Sequence, residues 1–141
     1  MSIELRQYVP GDEKLIEPVE DTLRSHPNYE NEWNRLVLPE WTWTGWMGER
    51  LVGLGGIIPY ETDCYVWIQL DKNAPDKFAI ARSLRDVVRF GESFGFSLLW
   101  TLVQTKFKEG CRLIRFLGFE QGEQVGNCYK YFRKVEQCLI R

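Results

Sequence analysis

At the start of the chain Ile3 and Leu5 alternate with polar neighbours, and the pattern stops at Pro10-Gly11-Asp12. A period of two predicts a short strand ended by the Pro-Gly pair. Asp12 then stands where a helix cap is wanted, and Leu15, Ile16, Val19 and Leu23 share one helical face. Pro18 interrupts that face, so the helix should be kinked or short. His26-Pro27-Asn28 reads as a turn that leaves His26 in a loop. Tyr29, Trp33, Leu36 and Val37, at helical spacing, predict a second helix before Pro39.

From Trp41 the period returns to two. Trp41 to Met47 is rich in strand formers, Gly48-Glu49 is a two-residue hairpin turn, and Leu51 to Ile58 is the returning strand. Its Gly55-Gly56 pair marks a bulge or a close backbone approach. Cys64–Leu70 is a third strand, with Tyr65, Trp67, Gln69 and Asp71 on one face and Val66, Ile68 and Leu70 on the other. A helix capped by Asn73 follows, with Pro75 and Asp76 in its opening turn. Ile80, Leu84, Val87, Val88 and Gly91 form its apolar stripe, and Arg82, Arg85 and Arg89 lie opposite. Phe96 to Val103 is a near-continuous apolar run, as in a strand covered on both faces and parallel to Cys64–Leu70. A last helix from Lys108 to Leu117 ends at Gly118, a left-handed C-cap, and a hairpin turning at Val125-Gly126-Asn127 closes the chain. The order β-α-α-β-β-β-α-β-α-β-β predicts an α/β fold: a mixed sheet of about seven strands with helices on both faces.

At 141 residues the chain is long enough for one domain, taken as 1–141, with a real core. Eighteen Lys and Arg against 20 Asp and Glu leave a net charge of −2. That removes the bulk electrostatics of a nucleic-acid coat and is too mild for an acidic mimic, so no nucleic-acid partner is expected. The N-terminus carries charges where a signal peptide needs an apolar run, and no leader is expected. Leu51 to Ile58, the longest apolar stretch, is far shorter than the roughly 20 residues of a membrane span. Cys64, Cys111, Cys128 and Cys138 lack Cys-x-x-Cys spacing and His26 is the lone histidine, so reduced, buried thiols are expected and no metal site.

Arg112-Leu113-Ile114-Arg115-Phe116-Leu117-Gly118-Phe119, set in that element order, resembles the ending of the GNAT superfamily of N-acetyltransferases, where a helix stops at Leu-Gly-Phe before the final hairpin. Within that superfamily, Gly55-Gly56, Cys64-Tyr65, Leu99-Trp100 and Arg112 are similar to positions in the GNAT-like internal virion proteins of short-tailed coliphages. The resemblance implies the fold and an acetyl-CoA site at the start of the helix after the fourth strand. There the family carries Arg/Gln-x-x-Gly-x-Gly/Ala, so that backbone N–H groups can hold pyrophosphate.

The matching segment is Asp76-Lys77-Phe78-Ala79-Ile80-Ala81, in which Ala81 alone fits. Asp76 brings a carboxylate to the phosphate position, Pro75 removes a donor and Phe78 obstructs close approach. If a cofactor binds, its contacts would be Lys77, Ala79, Ala81 and Arg82. The proton-donating Tyr of the last helix falls on Ile114, and the Asn at that helix's start on Phe107; neither can move a proton. Tyr129 could substitute as acid, and Asp71 is the carboxylate placed to act as base.

Arg82, Arg85 and Arg89 form one basic ridge, and Lys106, Lys108, Arg112 and Arg115 form a cluster expected beside the cofactor cleft; both read by default as solvated helix faces. Trp41 and Trp43 share one face of their strand and Trp46 takes the other, so one core cannot hide all three, and they are the candidate partner surface. The sequence therefore predicts a GNAT-like phage protein with a degenerate acetyl-CoA site and no cofactor. It would bind a phage or host protein, in the host cytoplasm or the virion interior. An acetyl-CoA-dependent N-acetyltransferase with a divergent cofactor loop is the alternative.

Overall fold

A computed structural model describes residues 3–21, 26, 37–74 and 76–135, without the side chains at 18–21, 77 and 78. In chain order the strands are β1 (Glu4–Gln7), β2 (Pro18–Asp21), β3 (Thr42–Met47), β4 (Arg50–Tyr60), β5 (Asp63–Asp71), β6 (Leu98–Gln104), β7 (Glu120–Val125) and β8 (Cys128–Lys134). The described helices are α1 (Lys77–Glu92) and α2 (Lys108–Phe116). Seven strands lie in the order β1-β3-β4-β5-β6-β8-β7, and β2 pairs with β5 off that path.

The hairpins form where the turn residues placed them, at Gly48-Glu49 and Gly126-Asn127. Among the described residues β5 and β6 are the one parallel pair in the sheet, joined through α1 as the apolar strand–helix–strand order predicts. Near Gly56 the backbones close in: a Cβ there would lie 2.6 Å from the Trp41 carbonyl oxygen and 2.9 Å from Trp67 Nε1. The bulge lies elsewhere, at Val52, because the register jumps from Gly45↔Gly53 to Trp46↔Leu51.

Each sheet face carries its own core. Both α-helices cover one face: Val88 of α1, Cys111 and Ile114 of α2 and Leu117 at its C-cap pack with Cys64, Leu99 and Tyr131. The other face buries Tyr65, Trp67, Leu54 and Leu102 under Tyr8, Ile16 and Val37 from the N-terminal part of the chain. Cys64, Cys111 and Cys128 are free and buried, and Cys138 lies outside the described residues.

α2 ends as its sequence requires. Gly118 takes φ +90°, its N–H donates to the Arg115 carbonyl (3.0 Å), and the Phe119 N–H donates to that of Ile114 (3.2 Å). These two bonds are the Schellman pair, and Leu117 and Phe119 are buried on either side of the glycine.

Two local expectations are corrected. The helix expected from Asp12 is a single 3-10 turn, Asp12–Leu15, after which Ile16 is extended and the chain becomes β2. Pro18 explains this, since it cannot donate in a helix and drives Glu17 into an extended conformation; Leu15, expected inward, is exposed. Val19 lies in β2 and not in the predicted stripe, and Leu23 lies outside the described residues with Tyr29, Trp33 and Leu36 of the second predicted helix. The cap of α1 is Asp76, at φ +48°, and not Asn73, which lies in the turn before it with its carbonyl accepting from Arg50 Nη2 (2.6 Å).

Candidate active-site cleft

β5 and β6 stay paired through Asp63, Cys64 and Tyr65 only, against Leu98, Leu99 and Trp100. Tyr65 and Trp100 meet edge to face at 4.8 Å where the pairing ends, and beyond it the two strands part. α1 begins at the end of β5, so its N-terminus stands at the open end of the split. This is the place where the resemblance puts a cofactor.

The chain itself occupies much of that place. β2 pairs with the β5 edge that faces β6, with Pro18 opposite Asp71 and Asp21 opposite Gln69; β4 takes the other edge at Gln69. Asp71 pins the entry to β2 by accepting from the Glu17 N–H (3.1 Å) and from Arg50 Nη2 (3.1 Å). The Lys72 N–H donates to the Glu17 carbonyl (2.8 Å), and Lys72 Nζ pairs with Glu17 Oε2 (2.6 Å). That last pair is exposed and contributes little.

Burial alone would push the Asp71 carboxyl up, but the Glu17 N–H, the Arg50 guanidinium and the backbone at Asn73 outweigh it and hold it below the usual carboxylate range. A carboxylate committed to two donors at lowered basicity is a weak general base. Its folded-state pKa lies below the unfolded one, so its contribution to stability is fully present above about pH 4 and is lost as pH falls through the folded value. The melting-temperature gap between the natural chain and Asp71→Asn should therefore be constant from about pH 5 to 7 and shrink below about pH 4. A gap that is the same at every pH would remove Asp71 from this role.

At the helix N-terminus, Asp76 Oδ1 accepts from the Ala79 N–H at 3.0 Å. That donor is one of the few a helix start can offer an anion, and it is already taken. Ala81 lies past the first turn, where N–H groups are spent inside the helix. Arg82 is exposed on α1, and the Lys77 and Phe78 side chains lie outside the described atoms. What the described atoms show at this helix start is a carboxylate on a donor that a pyrophosphate would need.

Asp71 and Tyr129 do not share a cleft. Asp71 continues the Tyr65–Trp67 face of β5, whereas Tyr129 on β8 packs in the helix-side core. The β6 strand separates them, two strand spacings or about 10 Å at the least. Ile114 is buried, and the Phe107 ring lies against Gly110, so the positions that answer to the family's Tyr and Asn are filled by packing. Burial, with the charge of Asp63, pushes the Cys64 thiol up to about 12, which removes it as a nucleophile. His26 lies in a bend, as expected, but is buried: Nε2 lies 2.7 Å from the Tyr60 hydroxyl, and the ring meets Tyr65 edge to face at 4.7 Å.

The three tryptophans divide as the alternation predicts. Trp46 packs on the Tyr65 face, with its Nε1 donating to Thr44 Oγ1 (2.8 Å) and the Arg6 guanidinium 4.7 Å above its ring. Trp41 and Trp43 lie on the helix face against Phe94 at 5.1 and 5.9 Å, and Trp43 meets Phe90 at 5.7 Å. Two cores receive what one could not, and all three indoles are half-buried. Phe90 and Phe94 are exposed, 46% and 38%, and extend the Trp41–Trp43 group into an aromatic surface patch that the sequence reading missed. The basic residues Lys108, Arg112 and Arg115 line a separate pocket with Tyr129, toward the β7–β8 hairpin; Phe116 turns to Arg85 of α1, whose guanidinium lies 4.3 Å over its ring.

No protein-family profile matches the chain, and no curated protein matches it. Solved structures do. The PaiA N-acetyltransferase of Thermoplasma acidophilum, in complex with coenzyme A, superposes with a TM-score of 0.69 at 16% identity, over 95% of this chain and 99% of its own. A Bacillus subtilis acetyltransferase, in complex with CoA, gives 0.68 at 12% identity over 96% and 99%. A GNAT-family acetyltransferase of Bacillus anthracis gives 0.67 at 11% identity over 97% of each chain. At such identities the likeness shows the fold, and the fold is that of the GNAT superfamily. Among the described residues no helix is long and apolar enough to cross a membrane.

Proposed function

We propose that this GNAT-fold chain is a tailed-phage protein whose acetyl-CoA site is closed, and that it works by binding another protein in virion assembly or in handling a host factor. The carrying observation is the Asp76 carboxylate on the Ala79 N–H, which places negative charge and a spent donor where a phosphate would need positive potential and a free one. The β2 strand along the β5 edge supports the same reading. The partner surface would be the aromatic patch of Trp41, Trp43, Phe90 and Phe94, because exposed rings around half-buried indoles are the composition of interface hot spots. Trp46, on the opposite face, falls outside it. The resemblance of Gly55-Gly56, Cys64-Tyr65 and Leu99-Trp100 to internal virion proteins supports the phage origin, and with it the host cytoplasm or virion interior as its location.

An acetyl-CoA-dependent N-acetyltransferase with a divergent loop is the second reading, favoured by the coenzyme A bound in two of the similar structures. Calorimetric titration with acetyl-CoA separates the two. The natural chain should give no binding at about 1 mM ligand, a free energy weaker than roughly −4 kcal/mol. Asp76→Gly, which suits φ +48° and releases the Ala79 N–H, should raise the affinity at least about tenfold. Micromolar binding by the natural chain would establish the enzyme reading and sink ours.

A further inference from the structure

Between α2 and the β7–β8 hairpin lies an open pocket of about 340 Å³, lined by Thr105, Lys108, Cys111, Arg112, Arg115, Gln121, Tyr129 and Tyr131. Lys108, Arg112 and Arg115 follow one helical stripe, at i, i+4 and i+7, so the hairpin meets three cations in a row. No carboxylate lines the pocket; Glu109, Glu120 and Glu123 stand on the same elements but outside it. Among the described residues none of the three cations has an ion-pair partner. The pocket wall is built: Tyr131 is fully buried, its hydroxyl donates to Gln121 Oε1 (3.3 Å), and Cys111 behind it is buried too. Burial and the Cys111 contact push the Tyr131 phenol up to about 12, so it stays neutral.

We propose that this pocket binds a small phosphomonoester. Two guanidiniums and an ammonium around a concave surface match a phosphate dianion, which arginine forks grip in bidentate fashion. The Thr105 hydroxyl adds a donor, and the half-buried Tyr129 ring, set perpendicular to the buried Tyr131 ring, gives an apolar face for the organic part of the ligand. The volume falls at the lower end of small-molecule sites, roughly 300–1,000 Å³, and exceeds what bare phosphate needs. No residue of α1 lines the pocket.

Calorimetry at low salt with AMP, inorganic phosphate and adenosine as probes tests this. AMP should bind, phosphate should bind more weakly, and adenosine should not bind. Arg112→Gln with Arg115→Gln should weaken AMP at least about tenfold while the melting temperature holds, since both side chains are exposed. Adenosine binding as tightly as AMP, no AMP binding, or AMP binding unchanged in the double variant each overturns the proposal. A single-stranded oligonucleotide that binds far more tightly than AMP and is lost in the same variant would overturn it too, by marking a nucleic-acid surface. Any acetyl-CoA binding that disappears with the arginines, yet is insensitive to Asp76→Gly, would belong to this pocket, which keeps its failure distinct from that of the closed cleft.

Discussion

Replacing Trp43 by Ala is expected to lower stability by about 3 kcal/mol, the lower end of the range for removing a large buried aromatic because the indole is half-buried. For a domain of this size that is roughly 6–12 °C of melting temperature. The ring stacks on Phe94 and stands edge-on to Phe90, and it also closes one side of an apolar cavity of about 90 Å³ between α1 and the sheet. Its loss enlarges a void that the backbone cannot collapse into. Phe90→Ser with Phe94→Ser removes rings that are 46% and 38% exposed, so it should cost less stability than Trp43→Ala while abolishing the proposed partner capture. The decisive comparison is thermal melts of both variants beside binding of a purified partner. A Trp43→Ala chain that melts within about 2 °C of the natural one and no longer binds would put the worth of this indole in the interface rather than in the fold.

The second large effect is expected at Gly118. Alanine there must hold φ +90°, which costs about 1 kcal/mol by itself. Its Cβ would also drive into the Arg133 guanidinium. Arg133 donates to the Leu117 carbonyl (2.8 Å) and pairs with Glu92 at the end of α1 (2.6 Å), with both side chains about three-quarters covered. Displacing it breaks a clamp that joins the ends of α1 and α2 to β8. A total of about 3 kcal/mol is expected for Gly118→Ala, read from denaturant midpoints at constant m. A loss under about 0.5 kcal/mol would show that Arg133 moves freely aside, and that the Leu-Gly-Phe ending is kept for some reason other than this packing.

What the sequence made legible was local. Gly48-Glu49, Gly118 and Gly126 each specify a backbone geometry that few other residues adopt, so hairpins and the end of α2 followed from them. The apolar stripe of α1 between two apolar strands specified the parallel pair. β2 was not legible, because Val19 fits a helix stripe as well as a strand. Its extended state depends on the Asp71 carboxylate and the β5 edge, some fifty residues away in the chain. Asn73 and Asp76 are equally good caps on paper; the helix starts only after Asp76, whose carboxylate takes the Ala79 N–H, and Asn73 is left in the turn after β5. The separation of Trp46 from Trp41 and Trp43 was readable from alternation, but the second core that receives it was not. The basic pocket was half readable. The stripe of cations on α2 was in view, but its concavity required knowing that Tyr129 and Tyr131 return beside it.

The short pairing of β5 with β6 has a consequence for how the chain assembles. The β3–β4–β5 meander forms through turns of two residues, and β7–β8 is likewise a hairpin, so both are cheap in loop entropy. Joining them needs Asp63–Tyr65 to find Leu98–Trp100 across the whole of α1, for three residue pairs in return. Closure over that distance with so little reward makes this junction the late event of folding, with the two sheet halves formed before it. The same scarcity of ladder bonds leaves the two sheet halves held together by side chains, the Tyr65–Trp100 contact and the cores on both faces that cross the junction.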